Sequence, residues 1–235
     1  MTIPDAAGGI AARLAAVRAN IDSACVRAGR PFGEVTLVAV SKSVPAAFVA
    51  AAVAAGQRVF GENRVQEALG KSALCGPGVA WHLIGHLQSN KAKPAAQLFA
   101  VVQSVDSTGI ARELDRRAGE AGRRLRVLVQ VKLAAEATKS GVALQEAPSL
   151  ITAVERLPNL ELAGLMTIPP PSAAPEDSRS WFSRLREMRD AWDGQCCPHG
   201  ALRELSMGMS DDYEVAIEEG ATIVRVGSAI FGDRA

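Results

Sequence analysis

Val35-Thr36-Leu37-Val38-Ala39-Val40-Ser41-Lys42 is a continuous apolar and β-branched run that stops at a serine and a lysine. A run this short, with no polar alternation, reads as a strand buried on both faces, the kind a parallel sheet uses. Ser43-Val44-Pro45 follows, and a proline steers the residue before it away from helix, so the chain turns before the alanine-rich helical stretch Ala46 to Ala55. Strand, turn and helix then recur along the sequence. Strands are predicted at Val35 to Val40, Arg58 to Phe60, Ala80 to Ile84, Phe99 to Val102, Arg126 to Val131, Glu161 to Met166, Arg203 to Leu205 and Thr222 to Val226. Helical patterns between them include Ser107 to Ala121, Leu144 to Arg156, Ser178 to Trp192 and Asp211 to Glu219. Eight short strands alternating with helices predict an α/β protein with a single parallel (β/α)8 barrel of the TIM type.

One domain is expected to take the whole chain, residues 1–235, with a helix over about 9–28 ahead of a barrel at 35–226. After the eighth strand only Gly227 to Ala235 remain, too few for a full closing helix, so the leading helix is the candidate to cover that gap. Ile168-Pro169-Pro170-Pro171-Ser172-Ala173-Ala174-Pro175 reads as a surface loop after the sixth strand. The charged stretch Arg112 to Arg126 reads as a solvated helix face and its turn.

Hydrophobic residues make up 48% of the chain and charged residues 22%, with a formal net charge of +1. That balance gives no electrostatic case for nucleic acid or an anionic membrane. Ile10 to Val26 is broken by Arg13, Arg18 and Asp22, so it is neither a signal-peptide core nor a membrane span, and a cytoplasmic protein is expected. Cys25, Cys75, Cys196 and Cys197 are too few for a disulfide framework. Adjacent Cys196-Cys197 lacks the spacer of zinc and redox motifs, so no metal site is expected there.

In such a barrel, chemistry gathers at the C-terminal ends of the strands, where Lys42 lies. Only six of the 26 basic residues are lysines, so surface charge is left mostly to arginine. Two readings of Lys42 stand open: a solvated charge that ends the strand, or an amine made nucleophilic near neutral pH because desolvation disfavours its ammonium form. After the seventh strand, Ser206-Met207-Gly208-Met209-Ser210 offers hydroxyls and unobstructed N–H groups beside a helix start, and Gly227-Ser228 does so after the eighth. Either alone is equally a helix cap, but adjacent strands bring the two together. Arg225 shares a face with Gly227 and points opposite to Val224 and Val226 by strand alternation. Barrel closure puts strand eight beside strand one, so an amine, a phosphate cradle and a guanidinium converge on one mouth. That set suits pyridoxal 5'-phosphate, an aldehyde bearing a phosphate and a ring nitrogen.

Val38-Ala39-Val40-Ser41-Lys42, Gly61-Glu62-Asn63, Trp81 to Lys91, Gly164-Leu165-Met166-Thr167, Leu205 to Ser210 and Arg225-Val226-Gly227 closely resemble the pyridoxal phosphate homeostasis protein family, single-domain relatives of the alanine racemase N-terminal barrel. The resemblance runs in order through nearly the whole chain. It implies a Schiff base on Lys42, with Ser206, Ser210, Gly227 and Ser228 around the phosphate and Met207 and Gly208 in the same loop. It further implies that Arg225 faces the pyridine nitrogen and that Asn63, Met166 and His82 line the pocket. The implied role is to hold and buffer the cofactor rather than to turn over a substrate. A monomer is expected, with pyridoxal phosphate and apo forms of pyridoxal phosphate-dependent enzymes as its partners. Leu133 stands where the family usually has asparagine and Leu83 where phenylalanine is common, which puts a polar contact from the Val131 to Gly141 segment in doubt. An always-charged arginine at the ring nitrogen weakens the electron sink that many enzymes using this cofactor rely on, an independent reason to expect no catalysis. A racemase, a Schiff-base lysine aldolase on the same barrel, and a partner-binding cofactor sensor remain alternatives. Tyr213, the sole tyrosine, reads as helix packing or pocket wall. His82 and His86 have the spacing of a zinc pair but no evident third ligand, and His86 reads as a loop histidine.

Overall fold

The computed structural model describes residues 3–134 and 140–232, so part of the segment carrying Leu133 lies outside the described residues. The barrel strands are β1 (Thr36–Val40), β2 (Val59–Glu62), β3 (Ala80–Leu83), β4 (Val101–Val105), β5 (Leu125–Lys132), β6 (Leu160–Met166), β7 (Glu204–Ser206) and β8 (Ile223–Val226). Each pairs in parallel with the next, β8 pairs with β1 and β4 with β5, so the sheet closes on itself. Val38 of β1 stands opposite Arg225 of β8 in that closing pair. A two-residue strand, Val142–Ala143, adds beside the end of β5 and was not anticipated. The fourth strand begins later than predicted. Phe99 is instead the C-cap of the preceding helix, its N–H on Ala95 O at 3.0 Å and its ring buried in the core outside the barrel.

Helices α1 (Ile3–Arg27), α2 (Ala46–Ala54), α3 (Val65–Cys75), α4 (Ala92–Leu98), α5 (Thr108–Glu120), α6 (Ala147–Glu155), α7 (Arg179–Trp192), α8 (Tyr213–Glu218) and α9 (Ser228–Phe231) surround the sheet. In α5, Ser107 caps the start by accepting the N–H of Ile110, and Ile110, Ala111, Leu114 and Ala118 put one apolar stripe on the sheet. α9 is a single turn. α1 fills the gap: Ile10, Leu14, Val17, Ile21 and Ala24 form its buried stripe, and it packs on α2, α8 and α9. Arg13 Nε donates to Ile230 O at 2.6 Å and Asn20 Nδ2 to the Tyr213 hydroxyl at 3.1 Å, tying α1 across the closure.

Alternation divides the strand residues into two cores. Ala39, Phe60, Leu83, Val102, Val129, Leu165, Leu205 and Val224 pack outward under the helices. Val38, Val101, Leu128, Ala163, Met166 and Ile223 form an apolar plug inside the barrel. Toward the C-terminal ends of the strands the interior becomes polar, with His82, Gln103, Gln130, Ser206 and Arg225 all buried. No helix among the described residues is long and apolar enough to cross a membrane.

Candidate functional site

A cavity of about 750 Å³ opens above that polar layer, walled by residues at or just beyond the C-terminal ends of the strands. Lys42, Asn63, Ser210, Arg225, Gly227 and Ser228 line it together. Val40, Val44, Ile84, Gln130 and Ile168 complete much of the wall.

Lys42 sits in a tight turn after β1. Ser41 N–H bonds Gly61 O at 3.0 Å, Val44 N–H returns to Ser41 O at 2.9 Å, and Ser43 has φ +60°, unusual for a residue with a side chain. Two residues one turn apart on α3 grip this turn on either side of Lys42. Lys71 Nζ donates to Ser41 O at 2.6 Å, and Glu67 Oε2 accepts the Ser43 N–H at 3.0 Å. Lys71 also pairs with Glu62 at 2.6 Å, and Ser41 Oγ donates to the same carboxylate oxygen at 2.7 Å. Glu62 is wholly buried, and its second oxygen has no hydrogen-bond partner among the described residues, so Lys71 is its main compensation. Asn63 reaches the cavity because the loop after β3 lies against it: a Cβ on Gly85 would come within 2.7 Å of Asn63 Cα.

On the opposite side of the β1–β8 seam, Arg225 is 3% exposed and held by neutral oxygens. Its Nη1 donates to Ser206 Oγ at 2.6 Å and its Nη2 to Thr167 O at 2.8 Å. Burial draws its guanidinium down to about 10, with Asp212 opposing, so it remains a cation near neutral pH. Ser210 Oγ accepts the N–H groups of Gly227 at 3.1 Å and Ala229 at 3.4 Å, which leaves its own O–H to donate. The unobstructed amide expected at Gly227 is therefore already engaged.

Several expected pocket residues are absent from the cavity wall. Ser206 lies beneath it, bonded to Arg225 and Gln103. His82 is also beneath, its Nδ1 at 2.8 Å from Gln103 Nε2, and burial with the nearby charge of Arg126 lowers it to about 4. Met166 belongs to the interior plug because its side chain faces the barrel axis among apolar neighbours. Met207 alternates outward into the core under the helices. Gly208, at φ +90°, is needed for close packing: a Cβ would lie 2.5 Å from Ala216 Cβ and 2.9 Å from Tyr213 Cα. Its carbonyl accepts the Arg225 N–H at 3.0 Å.

The two histidines exchange their expected places. His86 lines the cavity, half-exposed, with Nδ1 3.1 Å from Asp106 Oδ2. Its signal was available: it follows Gly85 directly beyond a strand end, where a barrel keeps its functional loops. Tyr213 is buried between α8 and α1 and is not among the residues lining this cavity. Leu133 packs into the outer core and brings no polar group.

Comparison with known proteins decides the family. The family model described as "Alanine racemase, N-terminal domain" matches residues 12–235. The pyridoxal phosphate homeostasis protein of Pseudomonas aeruginosa is 49% identical over 227 residues, covering 96% of each chain. The chain belongs to the pyridoxal phosphate homeostasis protein family. The solved structure of PipY of Synechococcus elongatus with PLP bound superposes with a TM-score of 0.84 at 41% identity, covering 95% of this chain and 100% of that one. An alanine racemase of Clostridium difficile shares the fold, with a TM-score of 0.73 at 16% identity over 97% of this chain and 57% of its own. The closed barrel and the family thus agree with the sequence reading.

Proposed function

We propose that this protein binds pyridoxal 5'-phosphate in the cavity at the barrel mouth, holds it covalently through a Schiff base to Lys42, and serves cofactor homeostasis without turning over a substrate. One observation carries the reading: Lys42, Arg225, Ser210, Gly227 and Ser228, drawn from β1, β7 and β8 and the turns beyond them, line a single cavity. The donor set fits the group by its chemistry. Lys42 supplies an amine for an aldehyde, Ser210 and Ser228 supply hydroxyls for a phosphate, and Arg225 brings a positive charge to a ring nitrogen. When bound, the cofactor supplies an electrophilic aldehyde and an electron-withdrawing ring. Arg225 limits the second property, since a fixed cation disfavours a proton on the facing ring nitrogen. Tyr213 does not serve as a second base in this cavity, because it is packed against α1 with its hydroxyl on Asn20. The names of the relatives and the PLP bound to PipY support the same reading.

The test begins with a visible spectrum of the full chain with pyridoxal phosphate. A Schiff-base band is expected; borohydride should fix the cofactor to Lys42 by mass spectrometry, and Lys42→Ala should lose the band while keeping the wild-type unfolding transition. An unchanged band in that variant would overturn the assignment. Incubating the loaded protein with L-alanine should produce no D-alanine above a protein-free pyridoxal phosphate control, and rapid stereospecific turnover would replace the carrier reading with a racemase.

A further inference from the structure

Beneath the cavity floor, Arg225 begins a chain of hydrogen bonds that can run in only one direction. Arg225 Nη1 lies 2.6 Å from Ser206 Oγ, Ser206 Oγ lies 2.6 Å from Gln103 Oε1, and Gln103 Nε2 lies 2.8 Å from His82 Nδ1. Ser206, Gln103 and His82 are buried and lie off the cavity wall, so each polar group there needs its partner within the protein. A guanidinium donates and never accepts, so the Ser206 oxygen must accept from it. The Ser206 hydroxyl donates its hydrogen to Gln103 Oε1, the acceptor it has among the described residues, and turning the amide over would leave that buried donor without one. That fixes the amide, and its NH₂ group faces the imidazole. Since NH₂ also only donates, His82 Nδ1 must carry a lone pair and the ring proton must sit on Nε2. An imidazolium would set N–H against N–H. Burial and the positive charge of Arg126 on β5 oppose the imidazolium independently.

Arg225 is also pinned on its other nitrogen. Nη2 donates to Thr167 O, and Thr167 is itself held by its Oγ1 on Val131 O at 2.9 Å and its N–H on Ser206 O at 3.1 Å. The guanidinium is thus fixed by two oxygens at the ends of β6 and β7, and only the Ser206 contact depends on residues deeper in the barrel.

We propose that Gln103 and His82 are positioning residues: through Ser206 they hold the Arg225 guanidinium in the orientation it presents to the cavity, and Arg225 in turn makes the Nε2–H tautomer of His82 obligatory. The first half rests on the cofactor reading above, whereas the second is a property of the cofactor-free chain.

The test has corresponding parts. Imidazole ¹⁵N–¹H correlation spectra of the full chain without cofactor, with His82 assigned from His82→Gln, should show a neutral Nε2–H ring that does not titrate from pH 8 to 5. An Nδ1–H tautomer, or a ring titrating near 6.5, would overturn the chain of bonds. Gln103→Glu replaces the donor facing Nδ1 by an acceptor, so His82 should carry a proton on Nδ1 at pH 7. A ring whose Nδ1 still bears a lone pair would count against the proposal. Gln103→Leu removes both partners: pyridoxal phosphate should bind about tenfold more weakly, and the visible band of the bound form should shift. A folded Gln103→Leu protein with the wild-type band and affinity would refute positioning. Should that variant fail to fold, Ser206→Ala, which cuts the same chain next to Arg225, carries the same expectation. If the wild-type chain binds no pyridoxal phosphate, the cofactor reading and the positioning role fall together while the tautomer result stands separately.

Discussion

Lys42 and Arg225 reach one cavity from neighbouring strands, yet the protein supports them by opposite means. Lys42 is supported from outside the barrel, by charges: Lys71 and Glu67 grip the backbone at Ser41 and Ser43, and Glu62 pairs with Lys71 and accepts the Ser41 hydroxyl. Arg225 is supported from inside, at the head of its guanidinium, by the neutral oxygens of Ser206 and Thr167. The physical requirements differ. A lysine that must form a bond needs its chain end undistorted, so fixing the turn beneath it is the useful constraint. A guanidinium that must project positive charge needs a fixed plane, and a carboxylate in direct contact would cancel the field it projects. Neutral acceptors orient it without that loss.

The largest test of this contrast removes Lys71. Lys71→Met leaves the Glu62 carboxylate buried without its cation and should cost about 3–5 kcal/mol in urea unfolding. Gln103→Leu, which cuts a neutral chain, should cost about 1–3 kcal/mol. If the second variant proved the more damaging, the inner support would be the stiffer one and the contrast would be reversed.

A second test uses pH. His82 has its ordinary value near 6.5 when unfolded and about 4 when folded. Above pH 6.5 both states are neutral there and the residue adds no pH dependence. Between pH 6.5 and 4 only the unfolded chain takes the proton, so stability falls with falling pH, by about 3 kcal/mol in all. Unfolding free energies of wild type and His82→Gln, compared across that window, isolate this contribution from the carboxylates that also titrate. Parallel curves would show that His82 is not held neutral by the fold.

The smallest expected effect is at the outer turn. Ser43→Gly removes the cost of a positive φ but frees the unfolded chain, so the net gain should stay within about 1 kcal/mol, read as a small rise in melting temperature. A clear loss would mean that the serine side chain contributes to gripping the Lys42 turn.

Much of this molecule was legible one segment at a time. The strands announce themselves as short apolar runs because burial on both faces admits few polar residues. Lys42, Ser210, Gly227 and Ser228 were legible because they stand at the ends of such runs, where barrel loops carry function. Gln103 was missed although a signal existed: Gln103-Ser104 interrupts the apolar run Val101 to Val105, and polar residues within a buried strand must find partners. His86 and Gln130 were missed because a polar residue near a strand end looks the same whether it faces a cavity or solvent. Ser206 and His82 were placed one layer too high, since alternation gives the face of a strand but not the depth along the barrel axis.

The sequence by itself determined the closed parallel barrel, the leading helix and the strand ends bearing the amine and the hydroxyls. Those depend on local periodicity and on how much chain lies between elements. Only the tertiary structure decided which inward residues meet the cavity and which lie beneath it, and that Lys71 and Gln103 stand behind Lys42 and Arg225. Those contacts join residues from 9 to 103 positions apart, set by strand register and barrel closure rather than by any local pattern.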